Sequence, residues 1–81
     1  MSNMRWEDFI TADPEVMTGK PVVKGTRLTV DFVLDLMAGG TSEAEILRNY
    51  PRLTTDAIHA CLAYASEAVQ LARDVPIRAH A

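Results

Sequence analysis

The sequence predicts a mainly α domain, with an N-terminal β-hairpin followed by three helices in a helix-turn-helix-like arrangement. Three observations lead there. The chain has 81 residues, 48% of them apolar and 23% charged, which is the composition of one folded globular domain. Ahead of Thr29 the chain is interrupted by Pro14, Gly19, Pro21 and Gly25 and carries the β-prone pair Val22-Val23, which suits short strands and turns. From Val30 onward apolar residues recur at three- and four-residue spacing between residues that start and stop helices. One domain is expected over 1–81, divided into a strand and hairpin segment (1–29), a three-helix bundle (30–73) and a C-terminal tail (74–81).

Each element has a local cause. Trp6 to Ile10 alternates weakly and reads as a short strand, and Asp13-Pro14 then marks a turn, because proline pushes its predecessor out of helix. Val22-Val23 and Thr26-Arg27-Leu28 flank Lys24-Gly25, a hairpin signal. A first helix is expected from Val30 to Ala38, capped by Thr29 and stopped by Gly39-Gly40, with Val30, Val33, Leu34 and Met37 on one side. Ser42 with Glu45 forms a capping box that starts a second helix running to about Asn49, and Pro51 closes it. Thr54 or Thr55 caps a third helix to roughly Arg73, with a core stripe through Ile58, Cys61, Leu62, Ala65, Val69 and Ala72.

Two apolar sets fall outside these stripes. Phe32 and Leu36 leave the first helix on a separate side, and Ala57, Tyr64 and Leu71 follow one another at heptad spacing on the third. Either a second chain or the N-terminal hairpin covers the heptad line. A domain this small has little core to hide such side chains, so Phe32, Leu36, Tyr64 and Leu71 are candidates for a homodimer interface.

The net charge of −3 argues against a protein whose main business is coating nucleic acid, but the charge is uneven and leaves local DNA contact open. Lys20, Lys24 and Arg27 lie in an acid-free stretch and form a candidate weak anion site. Arg48 and Arg52 form a second basic pair beside the turn between the second and third helices. In a helix-turn-helix layout these two arginines approach phosphates, while Thr54, Thr55 and His59 stand at the start of the third helix. The usual base readers, arginine, asparagine and glutamine, are missing from its first two turns, and Asp56 repels phosphate there.

Catalysis is not expected. His59 and His80 lie far apart, and no serine or cysteine has an evident base beside it. Glycine-lysine is followed by Pro21 and not by serine or threonine, which rules out a P-loop. Asp31 and Asp35 read as a solvated helix face in preference to a metal pair, so no cofactor and no metal are expected. Cys61 is the sole cysteine, reads as a core residue, and fits a reducing compartment. No apolar run reaches bilayer length, and Glu7 and Asp8 break the order of a signal peptide, so a cytoplasmic location is expected.

The run Asp13-Pro14-Glu15-Val16-Met17, then Gly19-Lys20-Pro21-Val22-Val23-Lys24-Gly25-Thr26-Arg27-Leu28-Thr29-Val30, carries a family resemblance. Gly40-Thr41-Ser42, Ile46-Leu47, Tyr50-Pro51-Arg52-Leu53-Thr54 and Ala63-Tyr64-Ala65 add to it. Together, over roughly Ile10 to Ala65, they resemble the bacterial family called domain of unknown function 433. The resemblance implies a homeodomain-like or winged helix-turn-helix fold. It further implies an antitoxin of a type II toxin-antitoxin pair that neutralises a PIN-like ribonuclease toxin and, as a dimer, binds its own promoter DNA. Antitoxins of this kind usually meet their toxins through variable C-terminal segments; the family pattern is lost past Ala65, and the segment expected to hold the toxin contact runs from about Val69 to Ala81. Arg73 and Arg78 are the candidates to pair with nuclease carboxylates, with Ile77 beside them in an extended segment. The alternative is a protein–protein adaptor without DNA binding, favoured by the negative charge and the sparse set of base readers.

Overall fold

The computed structural model describes residues 5–12, 15 and 19–72. The chain opens with a 3-10 turn over Trp6–Asp8 and a short strand β1 (Ile10–Thr11), followed by β2 (Val22–Val23) and helices α1 (Val30–Ala38), α2 (Glu43–Asn49) and α3 (Thr55–Leu71). The expected mainly helical order, a short antiparallel two-stranded hairpin and then three helices, is what the chain adopts.

The hairpin differs from expectation in its pairing. β2 pairs antiparallel with β1, Ile10 opposite Val23 and Thr11 opposite Val22. The segment Thr26 to Leu28 was expected as its partner strand but is taken up by a tight turn. Gly25 has φ of 78°, a left-handed conformation that a side chain would strain. The Thr26 hydroxyl donates to Val23 O at 2.8 Å and accepts from Leu28 N–H at 3.0 Å, which holds the turn closed. Across it Val23 N–H donates to Leu28 O at 2.9 Å, Thr26 N–H to Val23 O at 3.0 Å and Val30 N–H to Pro21 O at 3.0 Å, but only Val22 and Thr29 form a β-bridge, so no strand extends over Thr26 to Leu28. The strand expected over Trp6 to Ile10 is confined to its last residue. Ahead of it Asp8 N–H closes on Arg5 O and Phe9 N–H on Trp6 O, curling the chain into the 3-10 turn.

The helix boundaries follow their caps. Thr29 Oγ1 accepts from Phe32 N–H at 3.2 Å. Ser42 and Glu45 form the reciprocal capping box. Thr54 Oγ1, rather than Thr55, accepts from Ala57 N–H at 3.0 Å. At the end of α1, Gly40 at φ 96° lets its own N–H reach Met37 O and lets Thr41 N–H reach Leu36 O, both at 3.0 Å.

The core gathers Ile10 and Val23 from the hairpin, Val30 and Val33 from α1, Ile46 from α2, and Ile58 and Cys61 from α3. The stripe expected along α3 is only half realised. Ile58 and Cys61 are fully buried, whereas Leu62 is 43% and Val69 67% exposed. Leu62, beside buried Cys61, faces an uncovered side of the helix, and for Val69 length is the reason. At about 1.5 Å per residue, the 17 residues of α3 span about 26 Å, against about 14 Å for the 9 of α1 and about 10 Å for the 7 of α2. The short helices run out before α3 does.

Candidate partner-binding surfaces

Two surfaces stand out among the described residues, an open cavity and the outer half of α3. The cavity, of about 730 Å³, lies between segments 25–28 and 49–52. The first segment is the locked turn after β2 and the second is the turn joining α2 to α3. Arg52 ties them together by donating from Nη1 to Gly25 O at 3.1 Å. Its lining includes Arg27 and Arg52 with Leu28, Tyr50 and Pro51, and no acidic residue lines it. Tyr50 is held from behind by Phe32, edge to face at 5.6 Å between ring centres.

The basic residues therefore regroup. Lys20, expected beside Lys24 and Arg27, is drawn off by Asp31 at 3.8 Å. The Thr29 hydroxyl and the Lys20 ammonium together hold the Asp31 carboxyl below its usual range. Lys24, Arg27, Arg48 and Arg52 form no ion pair among the described residues. Neither the pairing of Arg27 with Arg52 nor the drawing off of Lys20 is readable from spacing, since each joins residues far apart in the sequence or on different elements.

The candidate DNA-facing residues are unequally free. Arg48 and Thr55 are exposed. Arg52 is exposed but tethered to Gly25 O, and the Thr54 hydroxyl is occupied as the α3 cap. His59 Nε2 faces Glu43 Oε1 at 3.6 Å, a pairing between helices that sequence reasoning missed. With Asp56 also in the first turn of α3, negative charge is set where phosphates would approach.

The four dimer candidates also separate. Trp6 covers Tyr64, edge to face at 4.9 Å, and its Nε1–H donates to Glu67 Oε2 at 3.3 Å. The N-terminal segment thus takes up the heptad line as far as Tyr64, with Ala57 and Ala60 buried alongside. Leu36 is half-buried against the core, and Phe32 lies on Tyr50. Leu71 is 73% exposed on one side of α3, and Leu62 and Val69, seven residues apart on the opposite side, are 43% and 67% exposed. The toxin-binding candidates Arg73, Ile77 and Arg78 lie outside the described residues.

Cys61 is a core residue, and burial pushes its thiol up to about 11. Among the described residues no cluster of three or more histidine, cysteine, aspartate or glutamate side chains is placed to hold a metal ion. No described helix is long and apolar enough to cross a membrane.

The fold and these surfaces define a small, mainly helical domain with a short antiparallel hairpin. The family described as "Protein of unknown function (DUF433)" matches residues 10–65, more than half of the chain, and the chain belongs to that family. It is similar to the uncharacterized protein y4eO of Sinorhizobium fredii, 34% identical over 58 residues, which are 72% of this chain and 26% of that protein. The chain thus spans about a quarter of the length of that relative. The crystal structure of a DUF433 member protein from Anabaena variabilis matches with a TM-score of 0.70 at 29% identity, covering 80% of this chain and 65% of that one.

Proposed function

We propose that the chain is a non-catalytic, protein-binding domain of the antitoxin type, which acts in the cytoplasm as a homodimer and neutralises a PIN-like ribonuclease. The observation that carries this reading is the outer half of α3. From Ala60 to Ala72 the sequence holds one charged residue, Glu67, and that carboxylate is turned to the Trp6 indole. Leu62 and Val69 are left to water together on one side of this half-helix, and Leu71 on the other. Apolar surface of this kind, without charges to solvate it, marks a protein contact. A second copy fits there, and the residues that follow, with Arg73, Ile77 and Arg78, then meet the nuclease. Arginines blocking its metal-binding carboxylates would silence it without any chemistry in this chain.

Promoter binding is a second reading, supported by the order α2, tight turn, α3 and by exposed Arg48, Arg52 and Thr55. The Glu43–His59 pair and Asp56 weigh against it, which favours protein contact as the main role.

The test is RNA cleavage by a PIN-like ribonuclease, taken from beside this chain's gene where one is encoded there. Equimolar chain is expected to stop cleavage and to co-elute with the enzyme. Undiminished cleavage at excess chain, with no co-elution, overturns the antitoxin reading and leaves an adaptor for other proteins.

A further inference from the structure

We propose that the cavity between segments 25–28 and 49–52 is a seat for an acidic peptide segment of a protein partner. One aspartate or glutamate would lie between Arg27 and Arg52, with a neighbouring apolar side chain on Leu28, Tyr50 and Pro51. The proposal rests on the protein-binding reading above, but not on the partner being a nuclease.

Four features carry it. The volume falls in the range of about 300–1,000 Å³ typical of ligand sites, which pair apolar walls with a few placed polar groups. The lining residues include two arginines and no acid, so their positive charge is not cancelled within the site. The frame is rigid, because the Thr26 hydroxyl locks one wall and the Arg52 bond to Gly25 O clamps it to the other. Arg52 spends one N–H on that clamp and keeps the rest, while Arg27 has no ion pair among the described residues. A guanidinium offers a planar fork of donors that matches a carboxylate.

A nucleic-acid strand fits less well. Its phosphates continue past any single site, and Asp56 stands on the first turn of α3, directly after the turn that carries Arg52. A lone carboxylate with an apolar neighbour meets the two arginines and the apolar wall and then leaves the charged surroundings.

The test is a titration of the ¹⁵N-labelled chain, followed by NMR. Three probes are used: a capped hexapeptide alternating glutamate with leucine, the same peptide with glutamine for glutamate, and a six-nucleotide thymidine strand. The glutamate peptide is expected to give saturable shifts at the Gly25, Thr26 and Asn49 amides, with little effect from the other two. Arg27→Gln is expected to weaken binding about tenfold or more, as loss of hydrogen bonds to a charged group does. Its thermal midpoint should stay unchanged, since the Arg27 side chain makes no ion pair among the described residues. Equal binding of the glutamine peptide, preference for the thymidine strand, or no effect of Arg27→Gln overturns the proposal. The ribonuclease assay is run separately on the wild-type chain, so failure of the antitoxin reading there does not touch the peptide result.

Discussion

Replacing Trp6 by alanine tests how the N-terminal segment is fastened to α3. In the structure the indole meets Tyr64 edge to face at 4.9 Å and donates to Glu67 at 3.3 Å. An aromatic pair of this geometry is worth about 0.5–1.5 kcal/mol beyond its buried area. The long hydrogen bond at the surface adds at most about 0.5 kcal/mol. Trp6 is only half-buried, so the area lost is well short of the 3–5 kcal/mol that removing a fully buried tryptophan costs. Together the loss is about 2 kcal/mol, or roughly 8–16 °C in melting temperature for a domain of this size. Thermal and urea denaturation followed by circular dichroism measure it. A cycle with Tyr64→Ala should return a coupling of about 0.5–1.5 kcal/mol. If Tyr64 instead served a dimer interface, Trp6→Ala would leave stability alone and change the mass in light scattering. A melting shift under about 2 °C, or no coupling in the cycle, refutes the contact.

Val69→Glu should abolish the dimer seen by light scattering at high concentration, with a stability change within about 0.5 kcal/mol because the side chain is 67% exposed; a wild-type chain that stays at 8.9 kDa however concentrated removes the basis for it. Thr29→Ala should cost about 1 kcal/mol through loss of the α1 cap, read by urea denaturation, and a neutral result would show the cap to be idle. The Cys61 thiol is raised in the folded chain, so the stability it supports is complete below its ordinary value of 9.0 and is lost as pH rises through about 11. Melting temperatures from pH 8 to 11 should fall more steeply for the wild type than for Cys61→Ala, and parallel curves would contradict the burial of the thiol.

The helices were legible from the sequence because their ends are local chemistry. Thr29, the Ser42–Glu45 box and Thr54 satisfy backbone N–H groups within three residues of themselves, and Gly40 turns the chain within the same short range. The apolar periodicity of α3 was equally legible, but periodicity reports a face and not its cover. Leu62 and Val69 continue the stripe of Ile58 and Cys61, yet they stand in water, Leu62 because it faces a side of α3 left uncovered although its neighbour Cys61 is buried, and Val69 because it lies near the far end of the longest helix. The hairpin's true pairing was not legible either, since the Thr26 hydroxyl competes for the bonds that a strand over Thr26 to Leu28 would have used.

By itself, then, the sequence determined the mainly helical class, the starts of the helices and the family, all of which rest on spacings of a few residues, whereas α3 ends at Leu71, short of the expected Arg73. Only the tertiary structure decided that Arg27 joins Arg52 around one cavity, that His59 turns to Glu43, and that Tyr64 lies under Trp6. Those pairs join residues up to dozens of positions apart, and their partners are chosen by how the elements pack. Charge and apolarity are written along the chain, but which charges remain unpaired and which apolar faces remain open depends on three-dimensional neighbours that no local pattern encodes.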